Sequence, residues 1–320
     1  MTMSRYHALA LTTVVATLIL IAVGSTVRTT GSGLGCPDWP LCHGRLLPPL
    51  ERTAIIEYSH RTTAALVGML IVATVIVTLR LRRDDRALSA LAIVALPLLG
   101  LQAYLGKVTV DRELPAEVVT FHLSMALALL AVLALIATFA FQGTGRTVIA
   151  TAERRRFTNV AVIAAVVTAG VVVIGSYLVG SDAGFACTSW PGCREAPIPF
   201  LDGGRLQSIH WLHRVTVALG AVAIGAVALA VWQMREAGPW LQRGTHALAG
   251  LFALQVLSGA LNIWSDFAEA ARVLHLVLGS ATWAMLIVLA VAGRYRPILT
   301  DATSMSAPVR DSGETSHARA

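Results

Sequence analysis

Long apolar segments, separated by short polar ones, follow one another along most of the chain. Eight of them are long enough to cross about 30 Å of hydrocarbon as helices. They lie at about residues 7–27, 59–79, 88–106, 118–141, 158–178, 210–232, 245–264 and 273–293. The first resembles a signal peptide, but it matches 158–178 in the second half of the chain and is interpreted as retained. The pattern predicts an all-α integral membrane protein with eight transmembrane helices.

Composition agrees with a membrane protein, and charge predicts its orientation. Of the 320 residues 56% are hydrophobic and 13% charged, whereas soluble domains carry about 25% charged residues. Arginines cluster in the loops after even-numbered segments, for example at Arg80, Arg82, Arg83 and Arg86. Because basic loops stay in the cytoplasm, these loops and both termini are predicted to be cytoplasmic, in the cell membrane. The net charge of +7 follows from this bias, and no nucleic-acid partner is expected.

All four cysteines lie in two similar loops, "CPDWPLCHG" from residue 36 and "CTSWPGC" from residue 187. The predicted topology places both loops outside the cell, where disulfides persist. We therefore predict the disulfides Cys36–Cys42 and Cys187–Cys193. Zinc is the competing interpretation, but a closed zinc site needs four ligands, and only one imidazole, His43, lies nearby.

The cysteine loops belong to a repeat that covers nearly the whole chain. They are 151 positions apart, and further on "HRTT" at residue 60 meets "HRVT" at residue 213 with an offset of 153. Two tandem four-helix bundles explain this, and an even number of spans in each makes the repeat parallel. We expect an N-terminal half at 1–142, a cytoplasmic linker at 143–157, a C-terminal half at 158–299 and a disordered tail at 300–320.

Four histidines occupy equivalent positions near the outer ends of the even-numbered segments: His60, His122, His213 and His275. A lone histidine near a helix end is commonly a hydrogen-bonded or snorkelling residue, but ionisable residues inside a membrane indicate function. The repeat predicts one pair in each half, His60 with His122 and His213 with His275. Two imidazoles facing each other across an apolar bundle suit six-coordinate haem iron. Zinc or a dinuclear site would call for nearby carboxylates or more imidazoles in each half, and those are missing.

Three arginines are candidate contacts for haem propionates. Arg61 and Arg214 directly follow two of the paired histidines, and a guanidinium matches a carboxylate fork. An anchoring role at the membrane interface is the alternative for both. Arg28 ends the first segment at the position where the C-terminal half has Val179.

Glu57 breaks the symmetry between the halves, because its repeat partner is His210. It lies three residues before His60 and hence on the same helical face. We predict a proton-handling group beside a haem, with a solvated loop carboxylate as the alternative. Gln102 and Gln255 also occupy matched positions, where they either hydrogen-bond between helices or touch the cofactor.

The sequence resembles the haem A synthases, membrane enzymes that convert haem O to haem A for cytochrome oxidases. The resemblance covers about residues 7 to 293. It is carried by "VRTTGSGLGCPDWPLCHG" (Val27–Gly44), "EYSHR" (Glu57–Arg61), "TFHLS" (Thr120–Ser124), "HWLHR" (His210–Arg214) and "VLHLV" (Val273–Val277).

The resemblance implies roles for the paired histidines and for Glu57. His213 and His275 would ligate a haem b cofactor, and His60 and His122 would belong to the substrate haem site. Glu57 would take part in oxidation there, where a methyl group of haem O is hydroxylated twice and the gem-diol loses water to leave a formyl group. Haem O and membrane lipid are the expected partners, with a haem O synthase and an electron acceptor as further candidates.

Two other functions fit a pair of histidines in each half. A dihaem electron-transfer cytochrome would hold two similar, permanent haems and would not need the Glu57 asymmetry. A haem transporter or chaperone would load haem reversibly and leave the porphyrin unchanged.

Overall fold

The structure is a computed structural model that describes residues 2–143, 147–148, 151–196, 198–235 and 237–296. The tail predicted for 300–320 and part of the linker lie outside these residues. The eight long helices are α1 (Met3–Thr29), α2 (Arg52–Leu81), α3 (Arg86–Asp111), α4 (Ala116–Gln142), α5 (Ala152–Gly180), α7 (Arg205–Trp232), α8 (Gly238–Trp264) and α9 (Glu269–Arg294). A short helix, α6 (Pro199–Asp202), precedes α7, and two-residue strands β1 (Thr147–Val148) and β2 (Tyr295–Arg296) pair antiparallel.

All eight long helices are long and apolar enough to cross a membrane. The predicted all-α, multi-pass membrane protein is therefore confirmed. Several helices begin before their apolar segment: α2 begins at Arg52 rather than near residue 59, and α5 begins at Ala152, within the predicted linker. The reason is that a helix satisfies its own backbone hydrogen bonds, so it continues past the hydrocarbon into polar sequence. These extensions carry part of the polar chemistry described below.

The helices form two groups that meet at the centre. α1 packs against α2 and α4, and α3 against α2 and α4; likewise α5 packs against α7 and α9, and α8 against α7 and α9. Contacts of α1 with α9 and of α4 with α5 and α9 join the groups. In α4 and in α9, half of the most apolar 18-residue stretch is buried within the protein. In each of the other spans, only 17–28% of that stretch is buried. These two helices therefore form the centre, and the grouping supports the predicted parallel repeat.

Hydroxyl groups lie between α1 and α2 on the side opposite the cysteine loops. Tyr6 Oη is 3.0 Å from Thr78 Oγ1, and Thr13 Oγ1 is 2.8 Å from Thr74 Oγ1. All four side chains are almost fully buried. The repeat positions in the C-terminal half are buried and apolar: Phe157, Ala164, Val227 and Val231. The same interface is thus hydrogen-bonded in one half and purely apolar in the other.

Both predicted disulfides, Cys36–Cys42 and Cys187–Cys193, are present and their cysteines are buried. The zinc interpretation is wrong, because disulfide sulfurs are not thiolate ligands. A side chain two positions after the first cysteine closes each loop. Asp38 accepts the N–H groups of Gly44 and His43, at 2.8 and 2.6 Å. These bonds hold the pKa of the Asp38 carboxyl below its ordinary value.

Non-reduced peptide mapping of membranes prepared without reductant tests this loop structure. We expect one intraloop disulfide in each cysteine loop, because each pair is already closed within a short segment. Free thiols in both loops, or a pairing of Cys36 with Cys187, would contradict the assignment.

A double-mutant cycle tests the Tyr6–Thr78 hydrogen bond. Its double variant has Phe and Val at these positions, as the C-terminal half has at Phe157 and Val231. Thr78→Val leaves the buried Tyr6 hydroxyl without its partner, and we expect a destabilisation of about 1–3 kcal/mol. Adding Tyr6→Phe removes the stranded hydroxyl and is expected to recover most of that loss. Thermal unfolding in detergent measures both variants. A double variant less stable than Thr78→Val alone would disprove this account of the interface.

Candidate functional site

The four paired histidines lie towards the cysteine-loop face, and each ring packs against a glycine of a neighbouring helix. A Cβ atom added at Gly24 of α1 would come within 3.0 Å of His60 Cε1. The matching residue of α5, Gly175, would bring its Cβ within 2.9 Å of His213 Cε1. The two glycines therefore leave room for the imidazoles, because a side chain at either position would push the ring aside.

The other two histidines are contacted by the matched glutamines. Gln102 Nε2 lies 3.3 Å from His122 Nε2, and Gln255 Nε2 lies 3.4 Å from His275 Nε2. Each contact joins consecutive helices, α3 with α4 and α8 with α9. The glutamines thus contact histidines of neighbouring helices, which is one of the two roles that the sequence left open.

The structure brings together the histidines predicted to pair in the C-terminal half. The ring centroids of His213 and His275 are 6.4 Å apart. Two metal–nitrogen bonds of about 2 Å, with a half-width of about 1 Å for each ring, would place two axial imidazole centroids roughly 6 Å apart. Among the described residues His60 and His122 form no such ring contact. The C-terminal pair therefore already has the spacing of two axial ligands.

The hydrogen bond of His275 fits metal ligation. His275 Nδ1 is 3.1 Å from the Gln255 carbonyl oxygen, which can only accept, so Nδ1 carries the proton and the lone pair resides on Nε2. The Nδ1 atoms of His60, His122 and His213 are buried without a hydrogen-bond partner in the described chain. No described cluster of three metal-ligating side chains includes these histidines. Paired imidazoles without carboxylates match the donor set of haem iron.

Glu57 is buried and fully engaged by its neighbours. Its exposed fraction is 3%. One carboxylate oxygen, Oε1, lies 2.5 Å from Arg61 Nη2, and the other accepts the Cys36 N–H at 2.8 Å. The alternative of a solvated loop carboxylate is therefore wrong. Glu57 lies on α2, one turn from His60 on the side of the cysteine loop.

Arg61 binds the first cysteine loop through backbone carbonyls. Its Nη1 donates to the carbonyl oxygens of Asp38 and Leu41, at 2.6 and 2.7 Å. Its Nη2 donates to the Cys36 carbonyl at 2.7 Å and to Glu57. All four terminal N–H groups are thus used within the loop and its supporting helix.

Arg214 binds the second cysteine loop in the same way. Its Nη1 donates to the carbonyl oxygens of Pro191 and Gly192, and its Nη2 donates to the Ser189 carbonyl at 3.0 Å. The remaining contact is with His210 Nε2 at 3.1 Å, four residues back on the helix. For both arginines this geometry favours holding the loop over contacting a propionate. The propionate contacts stay predictions.

His210 takes the place of Glu57 but carries no charge. Its Nδ1 is 3.0 Å from the Ala183 carbonyl oxygen, so this nitrogen is the donor, and Nε2 accepts from Arg214. Each half therefore has the same arginine clamp, an arginine that binds the cysteine loop and one side-chain acceptor. That acceptor is a carboxylate in the first half and a neutral imidazole in the second. The sequence predicted this asymmetry but not the shared arginine partner, which lies four residues later on the same helical face.

Two further arginines lie where the helix groups meet at the cysteine-loop face. Arg28, at the end of α1, places Nη2 3.4 Å from the Val179 carbonyl at the end of α5. Arg272, in the first turn of α9, donates through Nη2 to the Thr29 carbonyl at 2.9 Å. Sequence reasoning missed Arg272. The repeat could have identified it, because Arg272 replaces a valine, Val119, at the equivalent position of the first half.

Comparison with known proteins places these features in a family. A model of the COX15-CtaA family, described as cytochrome oxidase assembly protein, matches residues 7–55 and 50–287. A protein of Symbiobacterium thermophilum named Heme A synthase is 31% identical, over 89% of this chain and 94% of its own length. Heme A synthase of Bacillus pumilus is 29% identical, over 84% of this chain and 89% of its own. The match spans both histidine pairs and both cysteine loops, and the chain belongs to the COX15-CtaA family of cytochrome oxidase assembly proteins.

Proposed function

We propose that this protein is a haem A synthase, an oxidoreductase that converts a methyl group of haem O to a formyl group. Family membership and the relatives named Heme A synthase support this function. The observation that carries it is a pair of histidines in each half, with a buried carboxylate beside only one of the pairs. Two equivalent cofactor sites would not need that difference.

His213 and His275 would hold the iron of a haem b cofactor in the C-terminal half. Support comes from the 6.4 Å between their ring centroids and from the Nδ1–H of His275, which leaves Nε2 as the ligating atom. When bound, haem b supplies one-electron redox chemistry. The Ser258 hydroxyl and the Gln255 carbonyl, both on α8, contact Nδ1 and orient the His275 ring.

The N-terminal half binds the substrate haem, with His60 and His122 as its ligands. Oxidising the methyl group with water releases two electrons and two protons at each hydroxylation. The electrons would pass to the electron acceptor expected as a partner, and the gem-diol then loses water to give the formyl group. Positive charge develops on the methyl carbon as electrons leave. A fixed carboxylate in a dry site stabilises such charge, and Glu57 provides one because Arg61 and the Cys36 N–H hold both of its oxygens.

The same geometry argues against Glu57 as a freely moving proton acceptor. Each oxygen already accepts a charge-assisted or backbone hydrogen bond, and protonation would weaken both bonds by removing the negative charge. Stabilisation of the cation therefore fits the structure better than the proton-handling role predicted from the sequence. Released protons would pass to solvent at the cysteine-loop face.

The rival functions are separated by the haems recovered from the protein. In a host that makes haem O, a synthase yields haem A; a dihaem cytochrome yields two unaltered haems; a transporter yields unaltered haem at variable loading. Pyridine haemochrome spectra and mass analysis of extracted haems distinguish these outcomes. Recovery of haem O alone from active membranes would refute the proposed function.

Substitution of the histidines tests the division between the halves. We expect His213→Ala and His275→Ala to remove the resident haem b, because each deletes an axial ligand. His60→Ala and His122→Ala are expected to retain it and to lose haem A formation. Reduced haem absorbance per purified protein measures the retention. Equal loss from all four substitutions would indicate two equivalent cofactor sites and favour the cytochrome.

Glu57→Gln removes the charge and keeps the size of the side chain. We expect haem A formation to fall by roughly 10²–10³-fold, with haem O or a hydroxylated intermediate accumulating and haem b retained. Chromatography of extracted haems gives the products.

Glu57→His is the matched control for loop positioning, because the C-terminal half has an imidazole there that accepts from its arginine. We expect it to keep the loop in place and yet lose activity. Haem A formation at the normal rate in either variant would show that the carboxylate is not needed.

A further inference from the structure

Arg28 and Arg272 form a pair of cations at the junction of the two helix groups, on the cysteine-loop face. We call this pair the seam arginines. Arg272 donates to the carbonyl of Thr29, the residue next to Arg28, and Arg28 donates to the carbonyl of Val179. The two guanidinium groups are thus linked to the ends of α1 and α5, one helix from each half.

The contact between Arg28 and Val179 locates the pair in the molecule. These residues are repeat equivalents, 151 positions apart. In a parallel repeat, a residue that touches its own equivalent lies next to the axis that relates the halves. The seam arginines therefore lie between the two histidine pairs rather than within one half.

Each seam arginine is one helical turn from a different histidine site. Arg28 follows Gly24 by four residues on α1, and Gly24 packs against His60. Arg272 precedes His275 by three residues on α9. Residues three or four apart share a helical face. One arginine therefore stands above the N-terminal site and the other above the C-terminal site.

The seam arginines lack carboxylate partners. In the part of the chain that the structure describes, neither forms an ion pair, and the Nε atom of each is buried without a hydrogen-bond partner. The nearest acid along α9, Glu269, is 3.6 Å from Arg52 instead. Each arginine uses one N–H on the carbonyl at a helix end, which is a capping contact, and capping leaves the other donors unexplained. Half-buried, unpaired cations are costly unless an anion is bound.

We infer that the seam arginines form an oxyanion site shared by the two halves. Planar guanidinium groups bind carboxylates and phosphates through paired N–H donors. The first possible source of the anion is a propionate carboxylate of a porphyrin held by one of the histidine pairs, and this part of the inference rests on the proposed function. The second source with the same chemistry is the phosphate of a lipid headgroup. Both arginines are valines at the equivalent positions, so the site occurs once in the molecule.

Porphyrin binding tests the first source. Protein from a haem-deficient host is titrated with ferric protoporphyrin IX and with its dimethyl ester, which lacks the carboxylates. We expect the wild type to bind the free acid about tenfold more tightly than the ester. The Arg28→Gln/Arg272→Gln variant is expected to lose that preference. Arg45→Gln, which removes an exposed arginine from the same face, is the control and should keep it.

Lipid binding tests the second source. Native mass spectrometry of haem-free protein with added phosphatidylglycerol compares the wild type and the double variant. Bound lipid that is lost in the double variant, with an unchanged preference for the free acid, would assign the site to a headgroup phosphate. If the double variant changes neither the porphyrin preference nor the bound lipid, the inference is wrong. Failure of the wild type to bind either porphyrin would instead refute the proposed function, and the lipid measurement would then decide the seam site alone.

Discussion

The bonds between one guanidinium and the carbonyls of a cysteine loop fix the geometry of each half at its cysteine-loop face. Loop carbonyls near a membrane need donors, and an arginine that follows a paired histidine supplies several at once. The disulfide closes the loop, and the arginine attaches it to the helix that carries the histidine. Loop and histidine therefore cannot move independently. This arrangement is the same in both halves, which makes the few differences between them informative.

Those differences concern charge. One is the side chain that accepts from the arginine, Glu57 or His210, and the other is the pair Arg28 and Arg272 at the junction of the halves. Glu57 gives the first clamp a buried ion pair, whereas His210 keeps the second neutral. Replacing a carboxylate by an imidazole preserves the hydrogen bond from the arginine and removes the negative charge. The two halves thus share one frame and differ by single side chains on a similar backbone.

The sequence predicted the features that depend on length, periodicity and repetition. The apolar segments specify eight spans, and the repeat identifies the histidines, the cysteine pairs and the Glu57 exchange. Helix ends were less predictable. Hydropathy marks only the apolar part of a helix, whereas α2 also includes polar turns and runs from Arg52 to Leu81. The clamp of Arg61 was missed for a different reason: its partners are backbone carbonyls, which every residue has and no motif records. Arg272 stands outside the motifs and is identified only by comparing it with Val119.

The hydroxyl groups between α1 and α2 have a consequence for assembly. A chain built from two similar halves has two ways to match its helices, since α1 resembles α5 and α2 resembles α7. Exchanged partners would set Tyr6 against Val231 and leave a buried hydroxyl alone, at a cost of about 1–3 kcal/mol. They would also place Phe157 beside Thr78. Polar pairs in one half and apolar pairs in the other thus favour the native pairing of helices over the pairing of a helix with the repeat copy of its partner.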